Sequence, residues 1–161
     1  MLQNIWLDSI LIIVFIVLFV LAILLIRRKL FKLWHKVTRL EVTFHNTLKA
    51  CVRLYLRYED TIRPFDPGGQ LERLRKYDGR NMRGLELEKR QAIHRSLQTL
   101  FVSLDETEVS GYPTLKSMFD TLQNKRLRYN SAVLYYNHLV MTFPIRFLAN
   151  RFGFRTKEYF G

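Results

Sequence analysis

Four histidines, one cysteine and a cluster of three carboxylates are the residues of this chain whose types could do chemistry. His35, His45, His94 and His138 would need a partner one helical turn away to hold a metal, yet no two are four residues apart and none belongs to a His-Glu-x-x-His segment. They are expected as partly exposed helical histidines. Cys51 lies on an apolar stripe, where a thiol is a small buried hydrophobe rather than a nucleophile. As the only cysteine it excludes an intrachain disulfide and a multi-cysteine metal site, and it suits a reducing compartment. Asp105, Glu106 and Glu108 lack the spacing of an oxygen cage and read as a solvated turn. Gly68-Gly69 has no following Lys-Ser/Thr and no preceding strand, so it is a loop rather than a phosphate cradle. The residues therefore predict no catalytic group, no cofactor and no metal, and the chain is not expected to be an enzyme.

One constellation remains. Tyr129-Asn130 and Tyr136-Asn137 repeat a dipeptide at a spacing of seven, which puts both pairs on one face of a helix. A tyrosine in a core layer buries its ring but needs a partner for its hydroxyl, and the neighbouring amide can bridge to another element. Two readings stay open: a polar layer that fixes the register of a helical bundle, or a face that recognises a partner.

The element that positions everything else is apolar. Residues 10–26 are seventeen positions without a polar side chain, closed by Arg27, Arg28 and Lys29. As a helix the run spans about 25 Å, and Ile5, Trp6 and Leu7 extend it toward the ~30 Å of a bilayer core. A cleaved signal would need a basic start, a shorter core and a small-x-small site, and Ala22 alone supplies none. Ahead of the run stands only Asp8; behind it come Arg27, Arg28, Lys29, Lys32, Lys36 and Arg39. That bias predicts an N-terminus outside and a remainder in the cytoplasm. The net charge of +12 is concentrated in this juxtamembrane segment and in the C-terminal third. Arg27, Arg28, Lys29 and Lys32 are expected to contact lipid headgroups, whereas nucleic acid, the other polyanion, is not the expected partner.

Beyond the anchor, Leu30, Val37, Phe44, Cys51 and Tyr58 recur every seven residues, with Leu40, Leu48 and Leu54 or Tyr55 between them, so the span and this segment should form one rod that ends by Arg63-Pro64. A short helix is expected around Leu71, Leu74 and Tyr77, and a long one from about Leu85 to Leu104. Acidic residues at that helix's carbonyl end would be unfavourable, so Asp105 is placed in the following turn. From Pro113 a last long helix carries Leu115, Leu122, Tyr129, Tyr136 and Phe143 at strict sevens, until Pro144 ends it before a terminal helix over 145–152 closed by Gly153. The predicted fold is all-α: a single N-terminal transmembrane helix (1–29) continuing into an antiparallel helical bundle (30–161). Strict sevens also suit a coiled coil, so a homo-oligomer is among the expected assemblies.

The spacing of particular residues resembles a known family. Tyr112-Pro113-x-Leu115-Lys116, Phe119-x-x-Leu122-Gln123, Arg126-x-x-Tyr129-Asn130-x-x-Val133-x-x-Tyr136-Asn137, Phe143-Pro144, Phe152-Gly153-Phe154 and Tyr159-Phe160 resemble the C-terminal signature of the LemA family. Leu48, Val52, Arg53, Tyr55 and Glu59 resemble its Leu-x-x-x-Val-Lys-x-Tyr-x-x-x-Glu. The chain departs from the family at Val42-Thr43-Phe44-His45-Asn46-Thr47, where Arg-x-Asp-Leu-Ile-Pro-Asn should fall, and in a shorter interval between Tyr112-Pro113 and Tyr129-Asn130. It reads as a divergent member. The resemblance implies a bacterial inner-membrane protein with a cytoplasmic antiparallel bundle and brings no catalytic residues; some relatives are associated with building intracellular membrane compartments. The leading expectation is thus a membrane-tethered scaffold or adaptor, with membrane lipids and other membrane or membrane-associated proteins as partners. The runner-up is a basic module that binds anionic headgroups or nucleic acid.

Overall fold

The computed structural model describes residues 2–105 and 111–161, and their side chains except those of residues 2–5, 7 and 8. Of the acidic cluster, Glu106 and Glu108 lie outside the described residues, as do the side chains of Ile5, Leu7 and Asp8.

Not one proline or glycine interrupts the first 57 residues, and a single helix, α1, runs over Leu2–Arg57. It is followed by α2 (Glu59–Ile62), a 3₁₀ turn at Arg63–Phe65 with Pro64 in its first positions, and α3 (Gln70–Arg75). A second 3₁₀ turn at Met82–Gly84, capped by the Asn81 side chain, leads to α4 (Leu87–Asp105). Then come α5 (Tyr112–Met141) and α6 (Ile145–Arg151). The described residues contain no strand. The all-helical fold is as the periodicity requires, with α3, α4, α5 and α6 within a few residues of their expected limits.

The chain divides into two compact units, Met1–Val37 with Val133–Lys157, and Thr38–Ala132 with Glu158–Gly161. In the first, residues 9–29 of α1 contain no buried side chain, and among the described residues this is the one stretch long and apolar enough to cross a membrane. Leu30, Val37, Val133, Tyr136, Val140 and Ala149 form its core.

In the second unit α5 runs antiparallel to both α1 and α4. On the α4 and α5 faces Gln123 lies against His94, whereas Phe119 and Tyr112 stack on Phe101. Between α1 and α5 the Phe44 and Tyr129 rings stack 6.1 Å apart, and just beyond the ends of these helices Tyr58 covers Gly111. Phe44, Leu48, Cys51 and Tyr55 of α1 are fully buried against Leu97, Leu100 and Leu122 of the other helices in a core of apolar layers. Asp66 accepts from the N–H groups of Gln70 and Leu71, which anchors the start of α3. Leu71 and Leu74 then enter the core.

Four expectations are corrected. Tyr58 leaves the buried stripe because α1 ends at Arg57, and Tyr55 and Ile62 carry the core there instead. Asp105 closes α4 rather than opening the turn. Its carboxylate accepts from the Tyr112 hydroxyl and lies 3.8 Å from Lys116 Nζ, which offsets the repulsion from the helix's carbonyl end. Phe143 keeps the sevenfold spacing but is 83 % exposed, since α5 stops at Met141. Lastly, His35 and His138 are exposed as expected, but His45 and His94 are buried. A helix flanked by two others buries residues beside the central stripe as well as on it.

Both buried imidazoles are neutral hydrogen-bond partners. Arg90 Nη1 donates to His45 Nε2 at 2.6 Å, and the Gln123 amide donates to His94 Nε2 at 3.1 Å. Burial, reinforced by the charges of Arg90 and Arg126 respectively, lowers the pKa of each ring to about 4.

The unfolded chain binds protons at both rings near pH 6.5, the folded chain only near 4. Between those values the unfolded state holds more protons, so stability is full above about 6.5 and is lost as pH falls, by at most about 1.4 kcal/mol per pH unit for each ring. Thermal melts of the detergent-solubilised chain between about pH 6.5 and 5, above the carboxylate range, should show this decline. Replacing both rings, His45→Gln with His94→Gln, should flatten it; an unchanged slope would locate the titration elsewhere. A second test is Gly111→Ala. With φ at +85° and an added Cβ only 2.4 Å from Tyr58 Cε1, it should lower the melting point by the equivalent of ~1–3 kcal/mol.

Candidate functional site

The last eight residues, 154–161, have no regular secondary structure. Their backbone groups gain no ladder of their own, so any that leave water need side-chain partners. The two Tyr-Asn pairs supply them. In the first unit Tyr136 Oη donates to Arg155 O at 2.9 Å; Asn137 Nδ2 donates to Lys157 O at 2.8 Å, and Lys157 N donates back to Asn137 Oδ1 at 2.8 Å. In the second unit Tyr129 Oη donates to Glu158 O at 2.8 Å; Asn130 Nδ2 donates to Phe160 O at 2.7 Å, and Phe160 N donates to Asn130 Oδ1 at 2.9 Å. Each asparagine amide thus pairs with both backbone groups of one residue, as a neighbouring strand would.

The phenols suit the task. Burial pushes the Tyr129 hydroxyl up to about 12 and raises that of Tyr136, so both remain donors at neutral pH. Phe160, itself buried, sets its ring edge-on to Phe44 at 4.6 Å and to His94 at 5.7 Å.

All four residues singled out by spacing therefore act on one segment, the chain's own C-terminus. The spacing pointed to a polar face but not to its occupant, because the tail carries no periodicity; the aromatic Tyr159-Phe160 end was the available signal. The arrangement binds peptide backbone through neutral groups. The other named set, Arg27, Arg28, Lys29 and Lys32, is exposed on α1 in the first unit, and Arg27 Cζ lies 5.4 Å over the ring of Phe152. Lys157 Nζ stands 5.7 Å over the Trp34 ring in the same unit. Cys51 is buried, and burial pushes its thiol up to about 12, far from a nucleophile's range. No three His, Cys, Asp or Glu side chains gather into a metal-sized cluster among the described residues.

An all-helical chain whose first helix carries a membrane-length apolar run, and whose long α5 clasps the C-terminus, is the class defined so far. Residues 82–161, just under half of the chain, match the model of the LemA family, and the chain is similar to the members of that family. The matched span takes in α4, α5, α6 and the tail with both Tyr-Asn pairs, whereas the likeness at Leu48, Val52, Arg53, Tyr55 and Glu59 lies outside it. No curated protein and no solved structure matches the chain.

Replacing an asparagine by aspartate keeps its shape but removes the N–H donor and sets a charge against a carbonyl. Asn130→Asp and Asn137→Asp should each cost ~1–3 kcal/mol locally. Hydrogen exchange resolved at the Phe160 and Lys157 amides should lose protection in the respective variant, while the α4 amides keep theirs. Unchanged exchange in both variants would remove the clasp.

Proposed function

We propose that this chain is a membrane-anchored helical scaffold of the bacterial inner membrane, with its N-terminus outside, its C-terminal bundle in the cytoplasm and no catalytic activity of its own. The observation that carries the reading is the apolar run of α1. Its side chains from Ile10 to Leu25 are not buried in the protein, and Arg27, Arg28 and Lys29 close it. An apolar surface of that length in water is untenable, and a bilayer covers it while the basic collar stays with anionic headgroups on the cytoplasmic side.

The scaffold half of the reading is supported by how the polar constellations are used. The Tyr-Asn pairs hold the chain end, and His45 and His94 hold Arg90 and Gln123. Both uses stabilise a surface for partners rather than poise a proton or a nucleophile. Other membrane or membrane-associated proteins, or further copies of the chain, are the partners such a surface serves.

A reporter active only in the cytoplasm, fused after Gly161, should work, and one active only outside should not; the reverse result would overturn the orientation. Gentle solubilisation should recover the chain with a protein partner in fixed ratio. Recovery as a lone monomer would count against the scaffold.

A further inference from the structure

The corner between α5 and α6 carries apolar side chains with nothing to cover them. Phe143 is 83 %, Phe147 81 % and Met141 64 % exposed, whereas Ala149 of the same α6 is fully buried. α6 thus has an inner face, and Phe147 lies off it. Exposed Arg146 and Arg151 flank these rings. Two almost bare phenylalanines beside arginines are what an interfacial contact presents: rings for the acyl boundary, guanidinium groups for the headgroups.

The position of the corner within its unit decides what covers it. Asn137 pairs with Lys157, and Lys157 stands over Trp34; Phe152 lies under Arg27. The chain therefore passes from the level of Trp34 at Asn137 to the level of Arg27 at Phe152, which is the direction of the apolar run. α6 is seven residues, about 10 Å, so Phe147 lies within one helix length of the Arg27 level. That is where Arg27, Arg28 and Lys29 meet the headgroups on the reading of α1 as a span. We propose that the α5–α6 corner is a second membrane contact, with Phe143 and Phe147 seated in the anionic leaflet beside the basic collar. It rests on the proposed anchoring by α1. Continuity with the exposed apolar run and the matching positive charge favour a lipid surface over a second copy of the chain or another protein.

Spin labels on the full-length chain test this in vesicles of phosphatidylethanolamine and phosphatidylglycerol. Cys51→Ala clears the background, and single cysteines are placed by Phe147→Cys and Phe143→Cys at the corner, Phe15→Cys in the apolar run and Leu127→Cys on an exposed face of α5. All four sites are exposed, so the labels leave the core alone. The ratio of collisions with oxygen to collisions with a water-soluble nickel chelate should be several-fold higher at Phe147 and Phe143 than at Leu127, and lower than at Phe15. A corner ratio equal to that at Leu127, with Phe15 still in lipid, overturns the corner contact and leaves the anchor standing. Low collision rates with both reagents at the corner mean that protein covers it, and overturn the proposal as well. A water-like ratio at Phe15 overturns the anchor itself, and the corner contact with it.

Discussion

A backbone that leaves water outside a helix must find partners for its N–H and C=O groups, and the C-terminal segment finds them in two asparagines. The bidentate pairing of Asn137 with Lys157 and of Asn130 with Phe160 lets an unstructured tail behave as a strand against a helix. Much follows from that constraint. With the tail held, Phe160 stays buried against Phe44 and His94, Lys157 stays over Trp34, and Phe152 stays at Arg27. A serine or a glutamine would not serve: the first offers one oxygen and the second an extra rotatable bond whose freezing costs entropy.

Helices were legible from the sequence because their signal is local. An unbroken run without Gly or Pro gave α1, and Leu115, Leu122, Tyr129 and Tyr136 gave the buried face of α5 at sevens. Phe143 shows where that logic stops. Its spacing continues the stripe, but spacing is meaningful only while the helix lasts, and the chain turns after Met141. Tyr58 fails for the same reason at the end of α1. Asp105 fails differently: dipole repulsion is worth a fraction of a kcal/mol to about one, and a hydroxyl donor with a nearby ammonium outweighs it.

Long-range pairings were hidden. Tyr129 and Tyr136 announce a need for hydrogen-bond partners, but the partner carbonyls belong to Glu158 and Arg155, which sequence marks only as a charged tail. The burial of His45 and His94 depends on which helices flank α1 and α4, a property of topology rather than of either segment. Once buried, both rings are held neutral by the loss of water and, beside it, by the charges of Arg90 and Arg126, so two of the four histidines expected to be partly exposed are core acceptors.

The same arithmetic argues about function. A catalytic site keeps a reactive group poised near neutral pH, usually by setting a burial penalty against a compensating charge. Here the perturbed groups of the interior move the other way: the two buried imidazoles lose protons, while Cys51, Tyr129 and Tyr136 keep theirs. Each shift drives its group further from a working pKa and toward a fixed, neutral role in packing. Meanwhile the groups that stay charged are mostly on the surface, and the exposed Arg27, Arg28 and Lys29 follow directly on a membrane-length stretch of apolar side chains that the protein does not bury. The perturbed interior groups are neutral and most of the charge lies on the surface, a distribution that suits the scaffold reading proposed above.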